Sequence, residues 1–89
     1  LMYKEVAEGY FLAHKYKDAA RYLEISAIYA PDDATAYYNI AQMYGGVKDF
    51  ESERMWYKRF LEKSVLLKDT ENNRKLIDEA KRVLSKQRR

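Results

Sequence analysis

The sequence predicts an all-α protein assembled from repeated helical pairs, and three observations carry that prediction. Helix breakers are scarce, with one proline (Pro31) and three glycines in 89 residues, against a composition rich in Ala, Leu, Lys, Glu and Arg. The apolar residues recur at helical spacing: Tyr3, Val6, Ala7 and Tyr10 fall at i, i+3, i+4 and i+7, which gathers them on one face. The chain also resembles itself at an offset of 34 residues. Tyr3 recurs as Tyr37, Val6 as Ile40, Ala7 as Ala41, Tyr10 as Tyr44, Tyr16 as Phe50, Tyr22 as Trp56 and Leu23 as Tyr57. A fixed period of this length is the mark of stacked supersecondary units.

Taken in order, the spacing predicts about five helices, at about 2–14, 18–30, 34–46, 50–66 and 70–86. Ala19, Tyr22, Leu23, Ser26 and Ala27 give the second its apolar face. Pro31 stops that helix, because the residue before a proline is pushed out of the helical region. Asp32 or Asp33 then offers a carboxylate to the first free amides of the third helix. Gly45-Gly46 is expected to loosen the end of the third helix before a turn at Lys48-Asp49. Thr70, flanked by Asp69 and Glu71, is expected to open the last helix. Leu76, Ile77, Ala80, Val83 and Leu84 line one face of that helix and charged residues cover the rest, the pattern of a cap on an open stack.

Composition excludes several classes of function. Nearly half the residues are apolar and 35% are charged, a globular balance. Without cysteine there are no disulfides, thiolate nucleophiles or cysteine-zinc sites. No apolar run approaches the roughly 18 residues needed to cross a membrane. The net charge of +3 is uneven: residues 1–67 carry nine Lys/Arg against ten Asp/Glu, and residues 68–89 carry eight against four. With Leu1 at its start and no signal peptide, the chain is expected to be a piece of a longer one, so its localisation is unknown.

The repeated residues resemble the tetratricopeptide repeat, whose pattern is W-x2-L-G-x2-Y, then A-x3-F, then P. The pattern falls on Tyr3, Val6, Ala7, Tyr10, Ala19, Leu23 and Pro31, and again on Tyr37, Ile40, Ala41, Tyr44 and Tyr57. The stretch Ala36-Tyr-Tyr-Asn-Ile-Ala-Gln-Met-Tyr44 is especially similar to the family's first helix. The resemblance covers roughly residues 2 to 62. It implies one domain over 1–89: a first repeat at about 1–33, a second at about 34–67, and a capping helix at about 70–87. The second repeat departs from the pattern, with Glu53 in a small slot, Phe60 in the later small slot and Val65 in place of the closing proline. Glu53 is expected either to tilt out to water or to hold the paired helices apart.

The resemblance implies a right-handed α-α superhelix whose concave groove is lined by the first helix of each pair. It implies a module that binds a partner protein or peptide there. Groove slots would fall on Lys4, Glu8, Phe11 and Leu12, then on Thr35, Tyr38, Asn39 and Gln42; Lys4, Glu8, Tyr38, Asn39 and Gln42 form the candidate partner site. Some family members clamp a C-terminal carboxylate with basic and amide residues in such slots. Lys4 and Asn39 occupy two of them, but Glu8 would repel a carboxylate.

Tyr3, Tyr10, Tyr37, Tyr44 and Tyr57 are expected to fill core slots, while the helical period turns Tyr38 away from the core. His14 lacks a second metal ligand or a nucleophile partner. Adjacent Asp32 and Asp33 point apart and read as a cap rather than an acid/base pair. Gly45-Gly46 lacks the Lys-Ser/Thr of a phosphate loop. No catalysis, cofactor or metal is therefore expected. Two alternatives remain. The basic end, Lys81, Arg82, Lys86, Arg88 and Arg89, would suit nucleic acid or anionic lipid, although no aromatics interleave for base stacking. Apolar residues at the chain start, Leu1, Met2, Phe11 and Leu12, would suit self-association into a homo-oligomer.

Overall fold

The computed structural model describes residues 15–86. Among them are four α-helices and no strand: α1 (Tyr16–Tyr29), α2 (Ala34–Gly46), α3 (Phe50–Lys63) and α4 (Glu71–Lys86), with a 3-10 turn at Ser64–Leu66. The all-α expectation therefore stands, with four helices rather than five. The helix expected at about 2–14 falls outside the described residues, as do Lys4, Glu8, His14 and the apolar residues at the chain start.

Each boundary has a local cause. Ala30 has left the helical region (φ −138°, ψ 68°), as the proline that follows it favours, and α1 ends there. Tyr37 reaches back to donate its hydroxyl to the Pro31 carbonyl at 2.9 Å, pinning the turn against α2. Asp33 occupies the N-cap position of α2 without a side-chain cap bond, and Asp32 instead meets Lys63 at 3.4 Å. The end of α2 differs from expectation. Among the described residues no glycine has positive φ; the left-handed residue is Lys48, at φ 63°. The Asp49 amide bonds the Tyr44 carbonyl at 2.9 Å and the Lys48 amide bonds the Gly45 carbonyl at 3.0 Å, the pair of bonds of a Schellman ending. Asp49 then caps α3, accepting from the Ser52 amide at 3.2 Å and the Ser52 hydroxyl at 2.8 Å. Thr70 caps α4 by accepting from the Asn73 amide at 3.1 Å.

The two glycines serve packing rather than turning. A Cβ on Gly46 would come within 2.7 Å of the Tyr16 ring, and one on Gly45 would press on the Glu53 carboxyl carbon at 3.0 Å. Here both expectations for Glu53 are corrected. It neither tilts out to water nor pries the helices apart; it stays buried, and the missing side chain at Gly45 gives it room.

The main helix contacts follow chain order, α1 on α2, α2 on α3 and α3 on α4. Small residues line the first interface region: Ala19, Ala20, Leu23 and Ala27 of α1 join Ala34, Ile40 and Ala41 of α2 in one core. Phe60, in the slot where the repeat pattern asks for a small residue, is wholly buried and fills the core between α2 and α3. Tyr37 stacks on Trp56 (5.8 Å between centroids, 30°), and Arg59 covers the Trp56 ring at 4.6 Å. On α4 only Ala80 is fully buried, with Leu76, Ile77, Val83 and Leu84 half-buried beside it. Arg54 ties the end of α4 to α3 by donating to the Leu84 carbonyl at 3.1 Å, a cation at the negative helix terminus.

Candidate partner-binding groove

The site is built around the Tyr38 hydroxyl. The expectation that Tyr38 turns away from the core is corrected: its residue surface is 8% exposed. Its ring stands edge-on to Tyr57 (5.7 Å, 66°) and Phe60 (5.3 Å, 63°), both of α3. The 34-residue template set Tyr38 on an open face; in the fold α3 fills the space below it. Gln42, exposed one turn further along α2, donates its side-chain amide to the Tyr38 hydroxyl at 3.1 Å. Burial raises the Tyr38 pKa above 10.0, against a smaller opposing pull from the Arg82 charge.

The Tyr57 pKa is likewise pushed well up, mainly by burial and further by Tyr38 and Glu53, with the Arg82 charge opposing. Gln42 and the half-buried Asn39 belong to α2, and the Tyr57 ring beside Tyr38 belongs to α3. Of the candidate groove residues, the structure brings Tyr38, Asn39 and Gln42 to one place, while Lys4 and Glu8 lie outside the described residues. Arg82 and Tyr57 were legible only as a basic-patch residue and a core slot. No sequence signal joined them to Tyr38, because α4 does not fall on the 34-residue register.

The basic patch is divided by the helix. Lys81, Arg82 and Lys86 are all exposed on α4, but successive residues diverge by about 100° around a helix, so Lys81 and Arg82 point to different sides. Arg82 is paired with Glu79 one turn earlier. Arg88 and Arg89 lie outside the described residues. On the outer face of α3, Glu51, Arg54, Met55, Lys58, Arg59 and Glu62 border an open cleft of about 380 Å³. All six belong to one helix, so the cleft is space between long side chains.

Among the described residues no group of three His, Cys, Asp or Glu is placed to hold a metal ion, and no helix is long and apolar enough to cross a membrane. No protein-family model, no curated protein and no solved structure matches the chain.

Proposed function

We propose that this chain is a non-catalytic protein-binding module: part of a right-handed helical-repeat stack that holds a partner peptide or protein segment in a concave groove lined by α2. The observation that carries the reading is the set of amides on α2. Asn39 and Gln42 are polar groups on a helix without a single charged residue, and Gln42 donates to the hydroxyl of the buried Tyr38 ring. Amides and a neutral phenol recognise a partner by hydrogen bonds. With its pKa raised above 10.0, the Tyr38 hydroxyl keeps its proton at neutral pH and is poorly matched to proton transfer. Helices that pack chiefly on their chain neighbours and share a 34-residue period support the repeat architecture.

A photo-crosslinking residue placed at Gln42, with a second variant carrying it at Lys58 on the outer face of α3, tests the reading. The partner is expected to crosslink from position 42 and not from 58. Asn39→Ala with Gln42→Ala should then weaken binding of that partner about tenfold at unchanged helix content, the size of one or two lost hydrogen bonds to a desolvated partner. Crosslinking from position 58 alone would contradict the groove.

A further inference from the structure

Four large apolar side chains stand open at one end of the helix stack. Ile28 and Tyr29 close α1 at 75% and 67% exposure, and Val65 and Leu66 follow α3 at 83% and 56%. The ion pair between Lys63 and Asp32, at 3.4 Å, sets the end of α3 beside the turn that follows α1. All four apolar residues lie within four positions of that contact, so they share one end of the molecule. Their backbone is held in place. The Ser64 hydroxyl donates to the Leu61 carbonyl at 2.7 Å, the Leu67 amide donates to the Ser64 carbonyl at 3.0 Å, and Leu67 packs on the core. On the other side, Tyr37 holds the Pro31 carbonyl. A surface presented this way loses little freedom on binding.

Area and charge say what covers it. Side chains of this size offer on the order of 100–200 Å² each, so the open part of the four is roughly 300–500 Å², the size of patch that marks an interaction surface. Pairing two such patches would remove about 600–1,000 Å² from water, and the surrounding rim brings the total into the range of a weak, reversible dimer. The charges around this end are Asp32, Asp33, Glu62 and Asp69 against Lys63, Lys68 and Arg74, both signs in near balance. Such a rim offers no net attraction to phosphate backbones or anionic lipid. It does suit a copy of itself, in which acids of one molecule face bases of the other; the Asp32 side chain, 79% exposed, is open to such a contact.

We propose that this end is a self-association surface. Two copies pair about a two-fold axis, each burying Ile28, Tyr29, Val65 and Leu66 against the same end of the other. The surface is carried by the ends of α1 and α3 and is independent of the groove reading.

Sedimentation equilibrium of the whole chain between about 5 μM and 1 mM, where weak association is measurable, tests the pairing. A monomer–dimer equilibrium is expected. Each substitution in a two-fold interface acts twice, so Val65→Asp and Ile28→Asp should each weaken the dimer at least about tenfold. Met55→Asp, at a 43% exposed position on the outer face of α3, should change it less than about twofold. Raising salt from about 0.1 to 0.5 M screens ionic attraction and should not weaken a dimer held by apolar contact. Positions 28, 55 and 65 face solvent, so the three variants should keep the parent's helix content by circular dichroism.

A chain that stays monomeric up to about 1 mM would overturn the proposal. So would a dimer that either Val65→Asp or Ile28→Asp leaves intact, which would place the contact elsewhere. Equal weakening by Met55→Asp would mean unspecific apolar clustering, and species that grow beyond the dimer would exclude a closed two-fold pair. A monomeric chain that binds phosphatidylcholine vesicles, and loses that binding in Val65→Asp, would assign this end to a membrane surface instead.

Discussion

A single missing side chain explains how this chain tolerates a charged residue inside a helix interface. Glu53 sits where the first repeat has the fully buried Ala19, and Gly45 supplies the space that the larger residue takes. The two positions should therefore be energetically coupled. Gly45→Ala is expected to be unfavourable in the native background but neutral or stabilising, by up to about 1 kcal/mol of helix propensity, in a Glu53→Ala background. Gly46→Ala meets a rigid ring at Tyr16 instead of a movable carboxylate and should cost about 1–3 kcal/mol. Urea denaturation of the single and double variants measures both. The pair was not legible in sequence, where Gly45-Gly46 reads as a helix ending; only the approach of α3 shows that the glycines are there for room.

The tyrosines make stability pH-dependent on the alkaline side. Burial, then the hydrogen bond to Glu24 and the charge of that carboxylate, push the Tyr44 pKa up to about 12. A phenol that resists ionisation when folded but ionises near 10 when unfolded contributes stability that is fully present below pH 10. That contribution is lost as pH rises toward about 12. Unfolding free energy should fall across that window, and Tyr44→Phe should make the fall shallower. A denaturation series at pH 8 to 12 checks it.

At the scale of elements, the periods and breakers in the sequence locate most of what is seen. Helices expected at 18–30, 34–46, 50–66 and 70–86 correspond to α1, α2, α3 with its 3-10 turn, and α4. Pro31, Asp49 and Thr70 leave local signals because their effects are local: a fixed φ, or a side chain that reaches an amide three residues on. Lys48 leaves none. Its left-handed conformation is imposed by the short link between α2 and α3, so Lys48→Gly should stabilise by about 1 kcal/mol. Asp49→Ala, which removes the α3 cap, should destabilise by about 1 kcal/mol. Thermal melts of the two variants should move in opposite directions. Tyr38 was misread for a different reason. Helical period assigns a face, but it does not say which neighbouring helix will cover that face.

For the whole molecule, the decisive feature is how α4 docks. It touches the core through one fully buried residue, Ala80, with half-buried aliphatics on either side, and Arg54 holds its far end. Ala80→Asp would put a carboxylate into that contact, at several kcal/mol. It should lower Tm by at least about 10 °C. An unchanged Tm would mean that the Ala80 contact does not hold α4 to the core.

The placing of Asn39 and Gln42 on α2 beside the Tyr38 hydroxyl is the observation on which the functional reading stands, and an isotope-edited NMR titration with the partner captured from position 42 tests that reading most directly. The side-chain amides of Asn39 and Gln42 are predicted to shift together and saturate at one partner concentration, with Lys58 and Glu62 on the outer face of α3 unmoved. Shifts confined to Lys81 and Lys86, or to the α3 outer face, with Asn39 and Gln42 unchanged, would contradict it.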